Sequence, residues 1–164
     1  MSQSVTPYPA TTNERIDDYL PFAPESVLDD LDCLVEVGPR PSGSSVPRHT
    51  AEWVGRFRRI GAAKLRHHGL EALIDDMMVL ASELLTNGLL YGNGVLGFRL
   101  LITADAIGIV VFDGSINTPQ VRGASVTEEN GRGMFIVDTL ATDWGVSPDG
   151  MATWCTLAIP ARQS

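Results

Sequence analysis

Apolar positions recur along this chain at two different spacings, and the changes of spacing divide it into elements. From Pro47 onward, Trp53, Phe57, Ile60 and Leu65 fall at helical intervals. They predict a helix that stops near Gly69, a residue suited to the left-handed turn that closes helices. A second stripe, Leu73, Met77, Leu80, Ala81 and Leu84, predicts a helix from about Leu70 or Asp75 to Leu90, which "YGNG" then breaks. "GFRLLITAD" and "AIGIVVFDG" are apolar runs rich in branched side chains, and they predict two adjacent strands with "ADA" as a tight turn. A further helix follows a Gly-Arg-Gly sequence and runs through Phe135, Ile136, Leu140 and Ala141. "WGVSPDG" and "MATWCTLAIP" read as strand, Pro-Asp-Gly turn and strand.

Nearer the start, "ESVLDDLD" predicts one short helix, "CLVEVG" a strand and "PRPSGSS" a loop. Residues 1 to about 25 are rich in Ser, Thr and Pro and show no periodicity, so they predict a flexible tail before a single domain over 26–164. "SINTPQVRGASVTEEN" is long, polar and aperiodic, and loops of that length inside a domain are often functional. No internal repeat is visible. Two helices, a strand pair, a helix and a second strand pair predict an α+β domain with helices on one face of the sheet.

Composition narrows the function classes. The chain has 164 residues, 44% hydrophobic and 20% charged, which suits one globular domain with a real core. Its formal charge of −8 argues against duplex nucleic acid, which needs clustered cations to neutralise phosphate. One basic cluster, "RFRRIGAAKLRHH", has helical spacing and reads first as a solvated helix face, second as a dock for an acidic protein. His67 and His68 at its end read as surface or capping residues. Cys33 and Cys155 lack any CxxC spacing and read as free thiols rather than a disulfide. No apolar run approaches the ~20 residues of a membrane span. The first residues lack a basic start and an apolar stretch, so a cytoplasmic location is expected.

Three places carry candidate chemistry. Glu83 and Asn87 in "SELLTNG" are one helical turn apart and share a face of an otherwise apolar helix. They are either a stripe at the helix edge or a pair of functional groups, since leaving them buried without partners costs a few kcal/mol. Asp113 ends an apolar strand and is followed by Gly114 and Ser115. It is either a turn-forming aspartate or an acceptor for a ligand donor such as an exocyclic amine. Gly131 and Gly133 bracket Arg132 where a helix begins, although glycine costs about 1 kcal/mol against alanine inside a helix. They mark either a flexible loop end or a backbone that an anion such as phosphate approaches closely.

In order and context these strings resemble the GHKL ATPase superfamily, and within it the small bacterial anti-sigma-factor serine kinases. The resemblance covers about Ser45 to Pro160. "SELLTNGLLYG" resembles the N box, "VVFDGS" the first glycine box, "GRGMFIVDTLA" the second, and "DWGVSPDGMATWCTL" the last hairpin. It implies a two-layer α/β sandwich of the Bergerat type, with a mixed, mostly antiparallel sheet and ATP held between the layers. It implies Asn87 as the magnesium ligand and Glu83, one turn earlier, as the general base. Asp113, with Gly114 and Ser115 of the first glycine box, would select adenine. Gly131, Arg132, Gly133 and Met134 of the second box would face the phosphates, with Thr153 near the adenine. The long polar stretch corresponds to the family's ATP lid. The implied function is a Mg2+-ATP-dependent serine/threonine protein kinase that binds a sigma factor and phosphorylates a small anti-sigma antagonist protein, without contacting nucleic acid or membrane. Homodimerisation is suggested by those kinases, not by any residue of this chain. The alternative is a non-catalytic nucleotide-sensing module that regulates a protein partner.

Overall fold

Helix α1 (Arg48–His67) buries Phe57, Ala62 and Leu65. It ends where the sequence places the stop. Gly69 takes φ 71°, the left-handed region. Its N–H reaches the Arg66 carbonyl at 3.1 Å, and the Leu70 N–H reaches the Leu65 carbonyl at 2.8 Å. This paired closure satisfies carbonyls the helix would leave open, and Leu70 packs back on the core. The computed structural model of the protein describes residues 24–37, 48–91, 94–112, 129–148 and 150–161. The predicted tail and the long polar stretch lie outside them, apart from the last two residues of each.

A short 3₁₀ turn, Glu71–Leu73, leads into helix α2 (Ile74–Tyr91). Its stripe of Met77, Leu80, Ala81, Leu84 and Leu85 is buried. Gly61 lets α1 come close: a β-carbon there would lie 3.1 Å from Met77 Cε. That approach turns the buried face of α1 toward Gly61 and Ala62, and Ile60, expected in the apolar stripe, is 42% exposed.

Five strands form one sheet in the order β1-β2-β3-β5-β4: β1 (Val27–Val37), β2 (Gly94–Thr103), β3 (Ala106–Phe112), β4 (Asp143–Val146) and β5 (Ala152–Ala158). Every pairing is antiparallel, so the expected parallel component of a mixed sheet is absent among the described strands. Both predicted hairpins form. In the first, Thr103 Oγ1 accepts from the Ala106 N–H at 3.0 Å. In the second, the Gly150 N–H closes on the Ser147 carbonyl at 2.8 Å.

The expected helix at "ESVLDDLD" does not form. Only Pro24–Ser26 make a 3₁₀ turn, and the rest belongs to β1. Distant partners decide this. Asp29 points to the helices and accepts from Lys64 Nζ at 2.9 Å, with His68 Nε2 also at 2.9 Å. Asp30 accepts from Arg99 Nη2 of β2 at 2.9 Å. The aspartates of the expected helix are instead shared between the two faces of an edge strand.

Helix α3 (Glu129–Leu140) begins two residues before Gly131, earlier than the sequence suggests. Trp144 Nε1 donates to Asp138 Oδ1 at 2.8 Å and ties its last turns to β4. The main core lies between the helices and one sheet face, with Leu100, Ile102, Ile107, Ile109, Val111 and Cys155 below and Met77, Leu80, Leu84 and Val137 above. Phe57 of α1 stacks on Phe98 of β2 at 4.8 Å between ring centroids. The result is an α+β domain with an open five-stranded antiparallel sheet and three described helices. Cys33 and Cys155 are free thiols, and burial pushes Cys155 up to about 12. No described helix is long and apolar enough to cross a membrane.

Candidate functional site

Helix α2 packs across β3 and β5 and meets α3 along its side. Its apolar stripe fixes the rotation of the helix, and this sets Glu83 and Asn87 at the margin of the core. Both are half-buried, between the buried Leu80, Leu84 and Gly88 and solvent. Neither side chain makes a hydrogen bond or ion pair to another described residue. Burial raises the Glu83 carboxyl above its ordinary value. A carboxylate poised in this way is a better proton acceptor than one in open water.

Gly133 of α3 faces Glu83. A β-carbon on Gly133 would lie 2.8 Å from Glu83 Oε2, closer than such contacts are tolerated. The glycine therefore makes room for the carboxylate. This relation was invisible in sequence, where the two residues are far apart; the sole signal was a glycine at an unfavourable helical position. Gly131 lies within the first turn of α3, where backbone N–H groups have no intrahelical acceptor. Gly133 lies one residue beyond Arg132, where the helical ladder has begun. The side chain of Arg132 lies outside the described set. Met134 is buried in the main core.

Thr153 stands on β5 opposite Val111 of β3, on the sheet face that carries Cys155 and Leu157. It is buried, and its hydroxyl makes no hydrogen bond to a described residue. A buried hydroxyl without a partner costs about 1–3 kcal/mol, which a water or a ligand can offset. Asp113, Gly114 and Ser115 fall outside the described residues. Asp113 follows Phe112, the last residue of β3, whose register partner Ala152 precedes Thr153. The helix pair α2–α3 thus brings Glu83, Asn87 and Gly133 into one region, and the sheet places Thr153 near the end of the strand that leads to Asp113.

The donor set suits a magnesium nucleotide. It combines a neutral amide oxygen, a carboxylate without a counter-ion among the described residues, helix amides and a buried hydroxyl. Among the described residues no group of three or more His, Cys, Asp or Glu forms a metal cluster. Comparison with protein-family models gives no match, and comparison with curated proteins gives none either.

Proposed function

We propose that the protein is an ATP-binding regulatory protein of the GHKL type, with a Bergerat-type fold, acting as an anti-sigma-factor-type serine/threonine kinase. The observation that carries the reading is Glu83. It is seated against Gly133 at the margin of the core, one turn from Asn87, with no counter-ion among the described residues. A pure binding module has no need of a base there.

Bound Mg2+-ATP would supply the phosphoryl group. Asn87 would hold the metal through its amide oxygen. Asp113, with Gly114 and Ser115, would accept from the adenine amine, and Thr153, whose hydroxyl has no described partner, would lie near that end. The amides of the first turn of α3, with Gly131 and Arg132, would bind phosphate oxygens. Glu83 takes the proton from the acceptor's serine or threonine hydroxyl, and desolvation strengthens it for that task. The acceptor on this reading is a small antagonist protein and the second partner a sigma factor, both in the cytoplasm; a homodimer is what the kinases it resembles suggest.

The test is thermal stabilisation by nucleotides. ATP and ADP should raise the melting temperature more than GTP, and magnesium should enlarge the ATP effect. Equal shifts for all three nucleotides, or none, would rule out the adenine site.

A further inference from the structure

Away from this site, α1 and α2 border an open groove of about 550 Å3, lined by Glu52, Gly55, Arg56, Arg58, Arg59 and Met78. The three arginines are exposed. None has a carboxylate within ion-pair distance among the described residues. That is unusual in a chain with 20 acidic and 12 basic residues, where Lys64 and Arg99 both hold aspartates. Arg56 is also held in place, its guanidinium 5.0 Å from the centre of the Trp53 ring. The space over Gly55 is open, for a β-carbon there would meet nothing within 4 Å. Met78 adds an adaptable apolar contact.

We propose that this groove docks an acidic segment of a partner protein, which sets its carboxylates against Arg56, Arg58 and Arg59 and rests an apolar side chain on Gly55 and Met78. Charge complementarity carries the choice of occupant. Guanidinium groups match carboxylates in two-point geometry. A nucleic acid needs a basic track longer than one groove, and the formal charge of −8 opposes a polyanion beyond it. Within the groove the arginines act at short range, while the more distant acidic surface is screened beyond about 8 Å at physiological salt. A single inorganic anion would leave most of a groove of this size, and Met78, unused. The groove shares no residue with the nucleotide site, so the inference stands apart from the kinase reading and its test uses no nucleotide.

The probe is a short synthetic peptide alternating Asp or Glu with Leu, added to the full chain and followed by NMR. Controls are the same peptide with Lys in place of its acids, inorganic phosphate and a short single-stranded oligonucleotide. The acidic peptide should shift the Gly55 amide, the Met78 methyl and the arginine Nε–H signals, and added salt should weaken it. Arg58→Glu with Arg59→Glu should lower its affinity by about tenfold while the melting temperature holds. Should that variant melt early, Arg58→Gln with Arg59→Gln provides the same comparison. The proposal is overturned if the acidic peptide leaves these signals unmoved, or if a folded variant binds it as wild type does. It is equally overturned if only phosphate or the oligonucleotide shifts them.

Discussion

Gly133 and Glu83 meet so closely that no β-carbon fits between α3 and the carboxylate: the built atom lies 2.8 Å from Oε2. The obstacle is the far end of a flexible side chain, not backbone. Gly133→Ala should therefore push Glu83 aside without breaking the fold. Alanine also favours the helix by about 1 kcal/mol. The melting temperature should hold or rise, while phosphoryl transfer falls by about 10²-fold through the misplaced base. Melting curves beside transfer rates check this; a destabilised variant with normal transfer would refute the relation.

Glu83→Gln should raise stability at neutral pH. Burial raises the Glu83 carboxyl, so the folded state holds that proton more tightly than the unfolded chain. The stability it contributes is complete below the unfolded pKa and is lost as pH rises through the folded value. Glutamine does not ionise and escapes the loss. The gain should vanish below about pH 4, where both forms are neutral. Melts across the acid-to-neutral range show it. In a transfer assay the same variant should lose ~10²–10⁴ in rate and far less in ATP affinity.

Asn87→Ala removes the amide oxygen assigned to magnesium. ATP titrations with and without the metal should show the magnesium enhancement reduced by about tenfold or more. A variant that keeps the whole enhancement would move the metal elsewhere.

Asp29→Asn should change the acid limb of stability. Hydrogen bonds from Lys64, then His68, lower the Asp29 carboxyl from 3.8 to about 2. Its contribution is present above the unfolded value and is lost as pH falls through the folded one, a window between 3.8 and about 2. The variant should be about 1 kcal/mol less stable at neutral pH, allowing for solvent around a partly exposed pair. It should also lose less stability across that window. Denaturant titrations at several acid pH values compare the two slopes.

Periodicity made much of this fold legible. Leu80, Ala81 and Leu84 set the rotation of α2, and that rotation turned the face shared by Glu83 and Asn87 to the margin of the core. Gly69 and the Pro-Asp-Gly turn act through their immediate neighbours, so local chemistry was enough to place them. Where reading failed, the deciding partner was distant. Asp29 and Asp30 look helical until Lys64, His68 and Arg99 claim them from opposite faces. Ile60 yields its place to Gly61 because Met77 comes in from another helix. Gly131 and Gly133 were visible as oddities, but the neighbour that makes Gly133 necessary lies on α2.

Strand β1 is 11 residues long and stands at one edge of the sheet. An edge of that length is a template on which another chain can add a strand, and long apolar edges seed aggregation. Here Asp30 and Asp32 share one face and Asp29 lies on the other, so a second copy laid alongside would meet acidic residues on both faces. Asp29 is held ionised far into the acid range by Lys64 and His68, which keeps one charge on the strand even when other carboxylates have protonated. The acidic residues that tie this segment into the sheet also make it a poorer template for a further strand than an apolar edge would be.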